Sequence, residues 1–269
     1  MRRSIVGSVA ALVLVALVAV EYGSRERARA GPGPRLIGID LETRPSVIRI
    51  ATPFLGTNRH HHRAHHRHPR TELLAHVTHP MAIRLRPGAG RVIGTMPVGS
   101  RYYHQPIVAW VLRLSKSGRY GKVPVPYSGV NRAGWIDLRG LRLTRSKVRV
   151  EAVLSRHLLE VERGSHVLFH ATAATGSPAT PTPPGRYFVT DRVPFSPGSE
   201  YGMFAFGISG IQTHLPPGWT AGDQLAIHGT NEPWSIGRSV STGCLRVSAF
   251  ALQRMKPLLR PGTPVVISP

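Results

Sequence analysis

The one cysteine of the chain, Cys244, lies in Ser241-Thr242-Gly243-Cys244-Leu245-Arg246-Val247, and His228 precedes it by sixteen residues. A solitary cysteine is either inert packing or a nucleophile. As a nucleophile it needs a base or a neighbouring positive charge to become a thiolate near neutral pH, and a histidine at the end of a strand supplies one. Gly243, having no side chain, lets backbone N–H groups converge on a developing oxyanion. Arg246, two residues beyond the sulfur, has the planar fork that pairs with a substrate carboxylate. The spacing alone leaves both readings open, because the chain has 14 histidines and some pairing is always available.

For Cys244 to meet His228 the chain between them must reverse. Residues 229–240 are Gly, Pro and mostly polar, and read as a loop long enough to do so. Gln224-Leu225-Ala226-Ile227 reads as the strand that delivers His228. Ser248 reads as the N-cap of a short helix bearing Phe250, Leu252 and Met255 and ending before Pro257. Further upstream, 147–154 alternates as a strand, and the runs 158–163 and 167–170 flank the hairpin signal Gly164-Ser165. The proline density of 174–185 predicts a rigid loop before the strand Arg186–Thr190. An aromatic and glycine-rich loop then runs from Tyr201 to Trp219. Tyr201, Phe204, Trp219 and Trp234 are candidate pocket walls, each also readable as plain core.

The stretch "IHGTNEPWSIGRSVSTGCLRVS" resembles the signature of the L,D-transpeptidase (YkuD-type) family: His-Gly, a loop, then Ser-x-Gly-Cys-apolar-Arg. "GSPATPTPPGRYFV" is similar to the proline-rich loop and strand that precede that signature, and "PGTPVVI" to the closing strand. The blocks stand in family order over residues 146–269. The resemblance implies a mainly β, β-sandwich-like catalytic domain with a short helix after the nucleophile. It implies Cys244 as nucleophile, His228 as its base, and the Gly229 carbonyl as the group that orients the ring. It implies an oxyanion hole of backbone donors around Thr242, Gly243 and Cys244, with Ser241 and Arg246 on the substrate side. The implied reaction is peptidoglycan cross-linking through a Cys thioester, with no metal or organic cofactor, stem peptides as partners, and acylation by carbapenem-type β-lactams. Water in place of the acceptor amine would make an L,D-carboxypeptidase. One departure is Thr242, where many members have a histidine, so His228 is the only imidazole of the motif.

In front of this region, residues 71–145 hold five β-prone runs separated by turn signals: Met81–Leu85, Arg91–Thr95, Ile107–Leu112, Tyr120–Val125 and Gly134–Leu138. Their order resembles a bacterial SH3-like domain, which implies a small β-barrel able to bind wall peptides or simply to pack on its neighbour. Residues 31–70 read as a disordered basic linker rich in Pro, His and Arg. His60, His61, His62, His65, His66 and His68 interleave with arginines that repel a cation, which favours a spacer over a metal site. Residues 1–30 read as a signal peptide or signal anchor, with Arg2-Arg3 before the apolar run Ile5–Val20. The protein is therefore expected outside the cytoplasmic membrane, secreted or held by that segment.

The 269 residues carry a net charge of +22, unevenly spread. Between Arg44 and Arg132 there are 15 Lys or Arg and one acid, Glu72, a balance that favours anionic partners such as wall polymers. Charge alone also suggests a secreted nucleic-acid binder, but no recognition motif supports it and the export signal opposes it. A third reading is a non-catalytic wall-binding protein in which the Cys/His pair is a relic. One cysteine excludes a disulfide framework and Cys-rich zinc sites.

Overall fold

The computed structural model describes residues 71–269. The signal or anchor expected over 1–30 and the linker expected over 31–70, with its histidine tract, lie outside the described residues.

Eight short strands fill residues 72–146: β1 (Glu72–His76), β2 (Met81–Arg86), β3 (Ala89–Met96), β4 (Val108–Val111), β5 (Arg113–Leu114), β6 (Tyr120–Pro124), β7 (Ala133–Asp137) and β8 (Arg142–Ser146). They form two small antiparallel sheets, ordered β4-β1-β8 and β3-β2-β7-β6-β5. The five expected runs all contain strand. The expected runs do not include β1, β5 or β8; β5 has two residues and β8 carries two arginines, while β1 (Glu-Leu-Leu-Ala-His) has no alternating pattern. Alternation explains the packing: Val123 and Ile136 turn inward beside Ile83, while Lys122 and Trp135 face the other side.

The remaining strands are β9 (Val148–Val153), β10 (Leu158–Arg163), β11 (His166–Gly176), β12 (Gly185–Pro194), β13 (Phe204–Ile211), β14 (Gln224–His228), β15 (Ser239–Ser241), β16 (Leu245–Val247) and β17 (Pro264–Ser268). Their order is β10-β9-β17-β12-β13-β14-β16-β11-β15, and β10 also pairs with β11. Eight of the nine thus close into a barrel, with β15 added at its rim. The sandwich-like arrangement expected from the sequence takes this closed form, which leaves the eight strands without a free edge. The barrel core includes Phe206, Ile208, Leu225, Ile227 and Leu245. The single α-helix among the described residues, α1 (Ala249–Met255), is capped by Ser248, whose Oγ accepts the Ala251 N–H at 3.2 Å. It buries Leu252 and Met255 and leaves Phe250 73% exposed, so only two of its three predicted apolar residues join the core.

β12 joins the two regions. Tyr187 and Val189 point into the barrel, whereas Phe188, fully buried, points out into the core of the small sheets. The loop before β4 is clamped onto the same strand. The Gln105 side-chain amide donates to the Arg192 carbonyl at 3.1 Å and its oxygen accepts the Arg192 N–H at 3.0 Å, copying a strand pairing. Ser100 Oγ donates to the fully buried Asp191 carboxylate, which also accepts from Thr190 Oγ1 and Gln224 Nε2, both at 2.7 Å.

Candidate active site

β14 and β16 lie side by side and parallel, with Ile227 opposite Leu245 and His228 opposite Arg246. This pairing, made possible by the reversal over 229–240, brings His228 and Cys244 to one wall of a cavity of about 700 Å³. Tyr201, Trp219, Thr242, Ser241 and Arg246 line the same cavity.

His228 is buried, and its Nδ1 lies 2.5 Å from the Gly229 carbonyl oxygen. A carbonyl can only accept, so Nδ1 carries the proton and Nε2 keeps its lone pair. The Tyr201 ring packs edge-on against the imidazole, with centroids 5.0 Å apart. Burial pulls the His228 pKa down to about 4, the Gly229 carbonyl works against the shift, and Arg246 adds to it. Burial pushes the Cys244 thiol up to about 11, opposed by the Ala226 N–H and the Arg246 charge. Burial thus favours the neutral form of both groups, against the thiolate expected near neutral pH.

The turn that carries the sulfur is held from three sides. Ser241 Oγ donates to the Cys244 carbonyl at 2.6 Å and accepts the Gly243 N–H at 3.1 Å. The Ser241 carbonyl accepts from Thr180 Oγ1 and from the Ser177 N–H, both at 2.9 Å. The Gln212 amide donates to the Pro181 carbonyl at 2.9 Å. The proline-rich segment thus braces the cysteine turn. Gly243 has φ +105°, and a Cβ there would lie 2.3 Å from Gln212 Nε2, so both conformation and space require glycine. Its N–H is already used by Ser241. The expected Gly243 oxyanion donor is therefore already engaged within the turn. Ser241 reaches the cavity, but its hydroxyl is spent on shaping the turn.

Arg246 Nη1 pairs with Glu232 Oε2 at 2.5 Å, while its buried Nε has no partner. Gln224 Oε1 is likewise buried without a partner, and both side chains line the cavity. Unsatisfied buried polar atoms are costly and are commonly satisfied by a ligand or water. Two expected walls are absent: Phe204 lies in the barrel core, and Trp234 is 57% exposed beneath Arg238. Two walls were not foreseen. Tyr102 and Tyr103, from the loop between β3 and β4, line the cavity from the far side. Tyr102 Oη donates to Asp223 Oδ1 at 2.8 Å, and Arg101 pairs with the same carboxylate at 3.1 Å. Nothing in "RYYHQP" signals a cavity wall, because the contact depends on Ser100 and Gln105 docking on a strand some ninety residues away.

Residues 147–267 match the YkuD family, described as the L,D-transpeptidase catalytic domain. Among curated proteins, Bacillus licheniformis YkuD, which carries the L,D-transpeptidase name, is 29% identical over 121 residues, 45% of this chain and 66% of that protein. Bacillus subtilis YkuD is 32% identical over 95 residues, 35% of this chain. The chain thus spans 66% and 50% of the lengths of these relatives. Among solved structures, L,D-transpeptidase 3 from Mycobacterium tuberculosis aligns with a TM-score of 0.39 at 15% identity, over 64% of this chain and 93% of that one.

Proposed function

We propose that this protein is a cell-wall L,D-transpeptidase that uses Cys244 as nucleophile and His228 as proton carrier. The observation that carries this reading is the cavity itself. It holds the chain's only thiol and a buried imidazole whose tautomer is fixed with the lone pair on Nε2. As Cys244 Sγ attacks the carbonyl carbon of the donor stem, the thiol proton passes to His228 Nε2, and a tetrahedral oxyanion forms. On this reading the N–H groups of Thr242 and Cys244 are the donors to that oxygen. Collapse breaks the C–N bond, and His228 returns its proton to the departing amine of the terminal D-amino acid. The thioester is then attacked by the amine of a second stem, His228 takes that amine's proton, and sulfur leaves to be reprotonated. Because the resting pair is neutral, proton transfer accompanies attack rather than preceding it. Arg246, which lines the cavity, is the cation that meets a stem carboxylate on this reading.

On this reading the catalytic region is 146–269 and works outside the cytoplasmic membrane, where stem peptides are found. On the same reading residues 71–145 act as an SH3-like module; four of its five expected runs share one sheet, while the run 107–112 forms β4 and pairs with β1 in the other. Intact-mass analysis after incubation with a tetrapeptide stem, and separately with a carbapenem, tests the proposal. Loss of a D-amino acid with cross-linked product, and a carbapenem adduct mapped to Cys244, are expected. Folded protein that gives neither product nor adduct refutes it, and D-amino acid release without cross-linking identifies a carboxypeptidase.

A further inference from the structure

The outer face of the five-stranded sheet carries an unusual row. Arg84 on β2 pairs with Trp135 on β7, Trp135 with Lys122 on β6, and Lys122 with Arg113 on β5. Residues directly opposite share a face, so three cations flank one indole across four strands. The Arg113 guanidinium sits 5.3 Å over the Trp135 ring, which is buried beneath it. Arg113 and Lys122 also line a second cavity, of about 520 Å³, together with Arg132 and Arg186. That cavity shares no lining residue with the one at Cys244 and has no acidic residue in its wall. Arg113, Lys122, Arg132 and Arg186 take part in none of the ion pairs among the described residues. The acid on that face of β7, Asp137, is held by Arg119 and Arg139. Asn131 ties the rim together by accepting the Arg186 N–H at 3.3 Å.

Like charges placed directly across a ladder destabilise a sheet. Four cations around one concavity, none of them ion-paired among the described residues, repel one another unless something else neutralises them. We propose that this cleft binds a linear, base-free polyanion whose charges are oxyanions. Neighbouring strands are about 4.8 Å apart, so the row presents cations over about 14 Å, which suits successive charged groups of a flexible polymer. Arginine forks pair bidentately with phosphate or carboxylate. Nucleic acid fits poorly, because the one aromatic ring on the row is already covered by Arg113 and offers no platform for base stacking. The proposal is independent of the chemistry at Cys244.

The test uses the full chain and three probes of matched length: inorganic polyphosphate, poly-glutamate and single-stranded DNA. The cleft variant Arg113→Gln/Lys122→Gln/Arg186→Gln is compared with a charge-matched control, Arg91→Gln/Lys116→Gln/Arg156→Gln. The control isolates the cleft from the general attraction of a +22 chain. For polyphosphate or poly-glutamate, the cleft variant is expected to lose about 30-fold or more in affinity at 0.15 M salt. Its slope of log K against log salt falls by about two, from three lost charge contacts. The control loses less than about threefold. The arm that shows the difference identifies the polymer as phosphate-borne or carboxylate-borne. Without ligand, the cleft variant melts at or above the wild-type temperature, which also reports that it folds. Equal losses in the two variants, or the largest cleft-dependent loss for DNA, overturn the proposal.

Discussion

The resting state of Cys244 can be measured by alkylation. With its thiol near 11, about 10⁻⁴ of the sulfur is thiolate at pH 7, against about 3% for a free cysteine near 8.5. That deficit is roughly 300-fold. A more basic thiolate is the better nucleophile, and a Brønsted coefficient of about 0.4–0.5 over about 2.5 units recovers roughly 10- to 20-fold. Cys244 should therefore react with iodoacetamide about 20-fold more slowly than free cysteine at pH 7. Steric access alters the absolute rate but not its pH dependence. The more secure readout is thus a tenfold rise per pH unit up to about 11, with no plateau between pH 5 and 8. His228→Ala should leave that slope unchanged, because the imidazole is already neutral above about 4. A rapid, pH-independent reaction between pH 5 and 8, abolished by His228→Ala, would mean a preformed thiolate–imidazolium pair and would refute the argument from burial.

Two further outcomes follow from buried groups. His228 falls from 6.5 unfolded to about 4 folded, so its stabilising effect is complete above 6.5 and is lost as pH drops toward 4. The loss is on the order of 3 kcal/mol, and urea midpoints at pH 7 and pH 4.5 should separate more for the wild type than for His228→Gln. Asp191→Ala leaves Ser100 Oγ and Thr190 Oγ1 without their buried acceptor, whereas Gln224 Nε2 keeps Thr190 Oγ1 and the Ile208 carbonyl. At about 1–3 kcal/mol for each of two orphaned donors, partly relieved by relaxation, it should destabilise the fold by roughly 2–4 kcal/mol in chemical denaturation. Faster hydrogen exchange over 98–106 should accompany it, and an unchanged midpoint would contradict the clamp.

Much of the barrel is readable from local pattern. Gly164-Ser165 announces the β10–β11 hairpin, Ser248 starts α1, and Ile227-His228-Gly229 ends a buried strand. These signals rest on turn chemistry and capping, which act within a few residues. The motif order implied only that Cys244 returns to His228; the parallel β14–β16 pairing that achieves it was not legible, since periodicity says nothing about which strands become neighbours. The ionisation of Cys244 depends on depth of burial, which spacing does not encode. Ser241 shapes the turn through bonds two and three residues away, but Thr180 and Gln212 brace it through contacts across 30 residues or more, and the tyrosine wall depends on contacts across about ninety. Phe204 and Trp234 show the same limit: an aromatic residue in a promising loop carries no mark of which way it turns.

Tyr102 and Tyr103 reach the sulfur-bearing cavity from outside residues 146–269. A fragment trimmed to those residues would keep the nucleophile yet lose one side of its vestibule and uncover Phe188. Inhibitors selected on such a fragment would be shaped to a mouth wider than the one the intact protein presents.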